Sequence, residues 1–351
     1  MMPLRCMVLP YLTPALNCLQ SNKGGLTAES EMVPLPNYLA MLDDNVCIKG
    51  IIPLLRESHR NSGLTYPAAS KLIGISKSHY ETNLTNKPSC SIKFLRRFCD
   101  NIDSEIFDKI YAKPDFSFTA RTKKVLLPKV LDSQLAYFVG YLQGDGCLTS
   151  DKKQVYFSDE YIEQIEQMDL LSKKLFGITG HVFWTMSEIS KKPSPHLELK
   201  SVVLNSFLNK VFGINRGEKA NLKMPGIIKN NKELLRVYIS GLFDADGTLP
   251  KNILTVKQMF IDITMKDKEF VEEIRDCLLL YGIETLKMYE RIAKSPHSGV
   301  PSSTFELRIR RKEMLFQFLS EIGFQHPNKF IRARNMCQMA GPLGLKPSLR
   351  V

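Results

Sequence analysis

Two stretches of the chain repeat one pattern of apolar and polar positions. The sequences "FVGYLQGDGCLTS" (138–150) and "YISGLFDADGTLP" (238–250) each predict an apolar helix that ends at an aspartate followed by glycine. After each come a strand pattern, a helix that ends at a Gly-Ile pair, a second strand of alternating polarity, and a further helix. The repetition predicts that residues 126–224 and 225–340 are two copies of one α+β unit, related by a pseudo-twofold axis.

The region before these repeats, residues 46–112, has the pattern of a compact helical unit. One helix is predicted to end near Gly63 and a second at Gly74, with Ser76 as the N-cap of a third. Two short helices joined at a glycine have the geometry of a helix-turn-helix. The stretch resembles the Cro/repressor type of helix-turn-helix domain at Gly63-Leu64-Thr65, Ala69, Leu72, Gly74-Ile75-Ser76, Ser78 and Pro88-Ser89.

This resemblance implies a small all-α DNA-binding domain whose recognition helix, Ser76–Leu84, enters a major groove. The candidate DNA contacts on that helix are Lys77, Ser78, His79 and Asn83. Such a unit would extend the DNA footprint or help the protein to repress its own expression. A generic helical bundle is the alternative that the residues leave open.

Three further segments lack a sustained pattern. Residues 1–45 contain five prolines and predict a poorly structured tail. Residues 113–125 are polar and basic and predict a linker between the helical unit and the repeats. Residues 341–351 are predicted to form a second tail.

Small residues lie on one face of each of the two helices that end in aspartate, which we call the motif helices. Gly140 and Gly144 are four positions apart, as are Gly241 and Ala245, and residues at that spacing share a helix face. Small side chains there let a second backbone approach closely. The pattern predicts that the motif helices pack against each other at the pseudo-twofold axis, the alternative being that small residues merely fit a crowded core.

The aspartates at the ends of these helices, Asp145 and Asp246, are in an unfavourable electrostatic position. A helix C-terminus carries about half a negative charge, so a carboxylate there is destabilising. Two such ends suit a bound cation, and the carbonyl groups of Gly144 and Ala245 would add oxygen ligands. Because carboxylate, carbonyl and water oxygens suit Mg²⁺, the pattern predicts a Mg²⁺ site that fits metal-assisted phosphodiester cleavage.

At this point the two stretches are similar to a known motif. "FVGYLQGDG" and "YISGLFDADG" resemble the LAGLIDADG motif of homing endonucleases, and the second copy is near the consensus. The first copy departs from it at Gln143 and Gly144, so the motif's other acid is matched only by Asp244, which is expected to be mainly structural. The resemblance covers residues 126 to about 340 and puts the family's metal-binding acid at Asp145 and Asp246.

The resemblance implies a tandem αββαββα pseudo-dimer whose two sheets form a basic saddle over the DNA major groove. One protein of this kind cuts both strands of a long double-stranded site, with Mg²⁺ bound between the motif helices. A lysine after the third helix of each half commonly assists, and Lys219 and Lys329 match it here, with simple phosphate contact as the alternative role. Tyr156 and Asp262 are candidates for ordering the hydrolytic water.

Charged residues near the strands are the candidate DNA contacts of the repeats, and for each one the alternative is a solvated surface charge. They are Lys200, Arg308, Arg310 and Arg311 near the second strands, and Lys251, Lys257 and Lys266 in the first part of repeat two. Neutralising many phosphates in this way would make binding strongly dependent on salt.

The composition agrees with a polyanionic partner. The 351 residues carry a formal charge of +12, which suggests nucleic acid ahead of an acidic membrane. No apolar run reaches bilayer length, so no membrane partner is expected. The eight cysteines lack CxxC spacing, which argues against zinc and redox sites. Scattered thiols indicate a reducing compartment, expected to be the cytoplasm or nucleoid of a prokaryote.

The sequence therefore predicts a monomeric, site-specific DNA endonuclease with an added helix-turn-helix unit. The alternatives are an inactive DNA-binding regulator with a nuclease-derived core and an RNA maturase with intron RNA as its partner. Loss of either motif acid would favour the regulator, and both acids are present. An intein is disfavoured, because the chain begins with Met and ends "LKPSLRV" without His-Asn before a nucleophile.

Overall fold

The structure is a computed structural model that describes residues 32–119, 124–186, 192–251, 258–294 and 301–339. The N-terminal elements are β1 (Val33–Pro34), a 3-10 turn (Leu39–Met41), β2 (Cys47–Lys49), α1 (Ile52–Asn61), α2 (Tyr66–Ile73), α3 (Lys77–Thr85), β3 (Ser89–Ser91), α4 (Ile92–Asn101), α5 (Ile106–Ala112), β4 (Ser117–Thr119) and β5 (Val130–Leu131). The first repeat comprises α6 (Ser133–Asp145), β6 (Gly146–Leu148), β7 (Gln154–Ser158), α7 (Ile162–Phe176), β8 (His181–Met186), β9 (Pro193–Lys200) and α8 (Val202–Phe212). The second comprises α9 (Gly226–Lys229), α10 (Lys232–Asp246), β10 (Gly247–Thr248), β11 (Ile261–Met265), α11 (Lys268–Leu279), β12 (Tyr289–Lys294), β13 (Pro301–Ile309), α12 (Lys312–Glu321) and α13 (Pro327–Met339).

Each repeat folds around its own four-stranded antiparallel sheet. The strand orders are β6-β7-β9-β8 and β10-β11-β13-β12, which gives both repeats the order αββαββα. The alternation along β7 buries Val155 and Phe157, while Tyr156 and its cross-strand partner Glu198 lie on the opposite, polar face. The predicted tandem α+β fold is confirmed.

The two motif helices, α6 and α10, cross each other along their small residues. A methyl group at Gly140 would overlap the carbonyl oxygen of Tyr238, and one at Gly241 would overlap that of Tyr137. The two backbones are therefore too close for any side chain at these positions. This contact joins the two repeats through a common apolar core.

The N-terminal unit combines its helices with a small sheet, which corrects the prediction that it is all-helical. β2 lies between β3 and β4 in this sheet. Each of these strands is only three residues long, so none displays a detectable period in the sequence. Gly74, with φ of 72°, separates α2 from α3, and Ser76 caps α3 by accepting the amide proton of His79 at 3.2 Å.

Residues 32–45, predicted as the end of an unstructured tail, are part of the fold. β1 pairs with β5, next to the first repeat. Tyr38 is fully buried, and its ring lies 5.1 Å from that of Phe207 in α8. Burial of apolar side chains here outweighs the local preference of the prolines for irregular structure. Residues 1–31 and 340–351, which contain the rest of the predicted tails, lie outside the described residues.

The segment predicted as a basic linker, residues 113–125, is also folded where it is described. It contains β4, and the buried Phe118 forms a backbone bridge with Val125. Lys129 donates to the carbonyl groups of Tyr111 and Lys113 at 2.6 and 2.7 Å. The N-terminal unit is thus docked on the first repeat by direct contacts.

Within the described residues, no helix combines the length and the apolar character that a membrane crossing requires.

Candidate active site

The C-terminal ends of the motif helices meet, and they bring Asp145 and Asp246 to one place. A methyl group at Gly144 would overlap the Cβ of Ala245 and lie 3.1 Å from a carboxylate oxygen of Asp246. Both aspartates are half-buried. The structure therefore assembles two acids from different repeats beside the carbonyl groups that precede them.

The surroundings of the two aspartates are electrostatically unbalanced. Burial, followed by the charges of Asp246 and Asp159, raises the pKa of Asp145 to about 7, against the opposing effect of two lysines. Burial also raises the pKa of Asp246. Neither carboxylate forms a hydrogen bond or an ion pair with another residue in the described part of the chain. Two unpaired carboxylates at converging helix C-termini favour a cation between them.

The lysine of each repeat ends at the carbonyl groups of its own motif helix. Lys329 donates to the carbonyl oxygens of residues 243–245 at 3.0, 2.5 and 2.9 Å. Lys219 donates to the carbonyl oxygen of Gly144. The last turn of a helix has carbonyl groups without amide partners, so each ammonium group caps its helix and opposes the dipole. Burial lowers the pKa of both lysines despite the nearby aspartates.

Lys219 and Lys329 lie in segments of different secondary structure. Lys329 is 8% exposed and lies in the first turn of α13. Lys219 lies in an irregular segment, and its stem is exposed while its ammonium group is turned inward to the helix end. The sequence repeat puts them at matching positions, but only the second repeat adds a helix there.

A hard divalent cation fits these residues. No group of three His, Cys, Asp or Glu side chains among the described residues is arranged to hold a metal. Asp145 and Asp246 would therefore be the protein carboxylates of such a site, with the carbonyl groups of Gly144 and Ala245 beside them. A carbonyl oxygen has a second lone pair besides the one that a lysine occupies. Mg²⁺ commonly binds one or two carboxylates and fills its remaining positions with water or phosphate oxygens.

Asp244 holds the segment that leads to Lys329. Its carboxylate accepts the hydroxyl proton of Tyr137 at 2.8 Å and the amide protons of Gln325 and His326, both at 2.9 Å. Asp244 is completely buried, and burial raises its pKa to about 6 although Lys329 opposes the shift. These contacts assign Asp244 a positioning role.

In the first repeat, Gln143 holds the segment that follows Lys219, and it does so with a neutral side chain. It accepts the hydroxyl proton of Tyr238 at 2.6 Å and donates to the carbonyl oxygen of Lys223 at 2.9 Å. The first motif departs from its consensus at Gln143, but this residue still connects the two motif helices to the segment that follows the lysine. An amide can donate as well as accept, whereas an ionised carboxylate only accepts.

The pair Asp159 and His326 also approaches the site, and sequence reasoning missed it. Asp159 follows β7 in the first repeat and lies 3.3 Å from the Nε2 atom of His326 in the second. Tyr141 of the first motif helix donates to Asp159 at 2.5 Å. The two partners are 167 positions apart and have no shared local pattern, so only the fold reveals the contact.

A cleft of about 580 Å³ opens beside Lys219, between the end of α8 and the segment before α9. Its lining includes Lys210, Lys219 and Lys223, and also Gln143 and Cys147. The described lining holds three lysines and no acidic residue, a composition that suits an anionic ligand.

The polar faces of the two sheets hold other predicted residues in cross-strand contacts. The hydroxyl group of Tyr156 donates to Glu198 at 2.7 Å. Arg308 donates to Asp262 at 2.8 Å and forms an ion pair with Glu306 at 2.9 Å. The hydroxyl group of Tyr156 and the Oδ2 atom of Asp262, two residues predicted to order water, are thus already engaged.

The other predicted DNA contacts of the repeats are exposed side chains. Lys200, Lys251 and Arg311 form surface ion pairs with Glu198, Glu160 and Glu284, respectively. Arg310 and Lys266 are also exposed, and Lys257 lies outside the described residues. Surface ion pairs of this kind are weak, so these cations can exchange their partners for phosphates.

In the N-terminal unit, Lys77, Ser78 and His79 are exposed in the first turn of α3. Asn83 is only 3% exposed, donates to the carbonyl oxygen of His79 at 2.8 Å, and accepts from Lys87. Asn83 is therefore not available to DNA, which corrects that prediction. The sequence of this helix did not reveal that the face on which Asn83 lies is covered.

Comparison with protein families gives a match for part of the second repeat. Residues 233–323 match the family described as the LAGLIDADG-like domain. The chain is 27% identical over 280 residues to glutamine–fructose-6-phosphate aminotransferase (isomerizing) of Methanocaldococcus jannaschii, covering 78% of this chain and 24% of that protein. It is 27% identical over 167 residues to the ribonucleoside-diphosphate reductase NrdEB subunit alpha of Bacillus subtilis, covering 45% of this chain and 15% of that protein. The chain thus spans a quarter or less of these curated relatives.

Solved structures with remote likeness include full-length DUF199/WhiA from "Thermatoga maritima", with a TM-score of 0.40, 15% identity, and coverage of 60% of this chain and 62% of that one. The homing endonuclease I-WcaI bound to its DNA recognition sequence has a TM-score of 0.41 and 13% identity, and 57% of this chain and 85% of that one are covered. Both TM-scores are below 0.5, so neither likeness bears on how this chain acts. The family match covers residues 233–323, which lie in the second repeat, and it is a likeness of that segment to the LAGLIDADG-like domain.

Proposed function

We propose that this protein is a site-specific endonuclease that cuts both strands of double-stranded DNA with a divalent cation, Mg²⁺ by preference, bound between its motif helices. The observation that carries the proposal is the pair Asp145 and Asp246. They come from separate repeats, meet at two helix C-termini, and have no protein cation in direct contact within the described residues. A purely structural helix crossing has no need of this unfavourable charge.

Each group of the site would have a distinct task. A divalent ion held by Asp145 and Asp246 would supply Lewis acidity at the phosphate and lower the pKa of a bound water. Lys219 and Lys329 would hold the helix ends in place, and Lys219, which donates to one carbonyl oxygen, would also offer an ammonium proton to the charge that develops on the phosphate. Because burial lowers the pKa of Lys219, this lysine could also exchange a proton with the attacking water. All three ammonium protons of Lys329 go to carbonyl oxygens, so its task would be to hold the helix end.

The remaining surfaces support a DNA substrate. The chain carries a formal charge of +12, and lysines line the cleft beside Lys219. The exposed first turn of α3 is the part of the N-terminal unit that could enter a major groove, through Lys77, Ser78 and His79. A single chain with two repeats suits an asymmetric site, because each half can read a different sequence.

The test is a cleavage assay on DNA. The substrate is the DNA on either side of the gene for this protein, with the two flanks joined directly, because an endonuclease of this kind is expected to cut the site into which its own gene inserts. The purified chain is incubated with this DNA in the presence of Mg²⁺ and then of EDTA. We expect linear products with Mg²⁺ and intact DNA with EDTA. Tight binding without cleavage by the wild-type chain would reject the nuclease and would instead favour a DNA-binding regulator.

A further inference from the structure

We propose that the N-terminal unit completes the active site of the first repeat, with Asp43 as a positioning residue that holds Lys219 in place through Arg216. The inference rests on the proposed nuclease function and deepens it. It gives the N-terminal unit a second task besides contacting DNA.

Arg216 lies three positions before Lys219 and is held by two side-chain acceptors. Arg216 donates to Asp43 at 2.5 Å with one nitrogen and to Asn205 at 2.7 Å with another. The side chains of Asp43 and Arg216 are each only 13% exposed, so this ion pair is shielded from solvent. An ion pair that is shielded from solvent, and whose guanidinium group also donates to a second residue, restrains the position of the arginine more than an ion pair on the surface does.

Asp43 itself is fixed from both sides. Its amide group donates to the hydroxyl oxygen of Ser206 in α8 at 2.8 Å, and its carbonyl oxygen accepts from Val46 at 3.0 Å. Burial alone would raise the pKa of Asp43, but the hydrogen bond and the charge of Arg216 outweigh it, so the pKa lies below its usual value. Asp43 therefore remains ionised and paired at neutral pH.

A series of contacts leads from Arg216 to the end of the first motif helix. Arg216 forms a β-bridge with Leu148, and the amide group of Gly217 donates to the carbonyl oxygen of Leu148 at 2.7 Å. Gly217, at φ of 74°, then turns the chain so that Lys219 reaches the carbonyl oxygen of Gly144. No helix supports this segment, so side-chain and backbone contacts hold its conformation, and these include a hydrogen bond from Asn215 to the carbonyl oxygen of Ala220.

The second repeat has a matching arrangement before its own lysine. There, His326 also lies three positions before the lysine, Lys329, and it is held by Asp159, which belongs to the other repeat. Each lysine is thus preceded by a basic or imidazole side chain anchored to an aspartate outside its own repeat. In the second repeat the first repeat supplies that aspartate, and in the first repeat the N-terminal unit supplies it.

The test uses strand-resolved cleavage under single-turnover conditions. Asp43→Asn is expected to slow the cutting of one strand about tenfold or more, equivalent to about 1.4 kcal/mol, and to accumulate nicked DNA. The strand that stays intact should be the same one that survives in Lys219→Met, and the opposite of the one that survives in Lys329→Met. Asp43→Glu, which keeps the carboxylate, should restore most of the rate.

The matched control is Asp44→Asn. Asp44 is the neighbouring residue, and its exposed carboxylate pairs with Arg96 inside the N-terminal unit, without contact to the Lys219 segment. This variant is expected to cut both strands at wild-type rates. Equal slowing of both strands by Asp43→Asn, or a change in DNA affinity alone, would overturn the proposal.

A second measurement does not depend on cleavage. Amide hydrogen exchange of the free protein is followed for peptides that cover residues 213–222 and 324–332. Asp43→Asn should speed exchange in the first peptide only, and Arg216→Lys, which keeps the charge but loses the fork, should do the same. Unchanged exchange in that peptide, or faster exchange throughout the chain, would contradict the positioning role even if the wild type does not cut DNA.

Discussion

The hydroxyl group of Tyr137 on the first motif helix donates a hydrogen bond of 2.8 Å to the buried carboxylate of Asp244 on the second. The matching position on the second helix, Tyr238, donates at 2.6 Å to Gln143 on the first. Two reciprocal bonds therefore cross the helix interface beside its glycine contacts. They connect the packing of the helices to the segments that follow Lys219 and precede Lys329.

Removing the first of these bonds should destabilise the protein. Tyr137→Phe takes one partner from a buried, ionisable carboxyl group, for which we expect a loss of about 1.5–3 kcal/mol in the free energy of unfolding. Urea denaturation measures it. Tyr289→Phe, at an exposed tyrosine, is the control and should change little. Equal effects of the two substitutions would mean that the bond to Asp244 contributes nothing.

The glycine contact should tolerate no side chain. Gly140→Ala places a methyl group on the carbonyl oxygen of Tyr238, so the motif helices must separate. We expect a loss of about 3 kcal/mol or more in stability, because a backbone cannot yield as a side chain does. Gly226→Ala is the control, since a methyl group there meets no atom within 4 Å. A stable Gly140→Ala variant with wild-type cleavage would refute the close crossing.

The motif acids should be required for cutting but not for DNA binding. Asp145→Asn and Asp246→Asn each remove one charge from the cation site with little change in shape. We expect double-strand cleavage to fall at least about a hundredfold while gel-shift affinity in Ca²⁺ stays within about threefold. Asp276→Asn, at an exposed aspartate paired with Arg275, should cut normally. Normal cutting by either motif variant would reject the site assignment.

Cation binding should depend on pH in a defined direction. The pKa of Asp145 is raised to about 7 in the folded protein, above its ordinary value, so the cation-free protein loses stability as pH rises toward 7. A divalent ion binds only the ionised form and offsets that loss. The increase in Tm produced by Mg²⁺ should therefore be larger at about pH 8.5 than at about pH 5.5.

Asp145→Asn provides the control for this pH dependence, because it removes the titrating group. In that variant, the increase in Tm with Mg²⁺ should be small at both pH values. An equal effect of Mg²⁺ on wild type and variant would locate the ion elsewhere on the protein.

The two lysines should differ in their effect on stability. Lys329→Met removes a donor from three carbonyl groups of the second motif helix, of which that of Phe243 keeps the amide of Gly247, and this site is nearly closed to solvent. We expect a loss of about 2–3 kcal/mol. Lys219→Met affects one carbonyl group through a partly exposed side chain, so its cost should be less than about 1 kcal/mol. Urea denaturation compares them with Lys200→Met, an exposed control, and a greater cost at Lys219 would contradict the capping assignment.

Much of the fold could be read from local patterns. Alternation along residues 154–158 predicted a strand there, and helical spacing with a terminal glycine predicted the helix that ends before Gly177. These signals are strong because each element buries one continuous face. The strands of the N-terminal sheet escaped notice because three residues are too few to define a period.

The candidate site was predictable only in part. Asp145, Asp246, Lys219 and Lys329 were indicated because they recur at matching positions in a duplicated pattern. Asp43, Arg216, Asp159 and His326 were not indicated, because their contacts join units that are distant in the chain. Asn83 was predicted to face DNA, but its burial depends on residues outside its own helix.

The sequence by itself determined the duplication, the two motif helices and the acids at their ends, since all three follow from residue order and local periodicity. Only the tertiary structure decided that the N-terminal unit is docked on the first repeat and that each lysine is anchored from outside its repeat. The physical reason is that hydrogen bonds and ion pairs between distant segments depend on the direction in which each side chain leaves the packed core. That direction is fixed only when the elements are assembled.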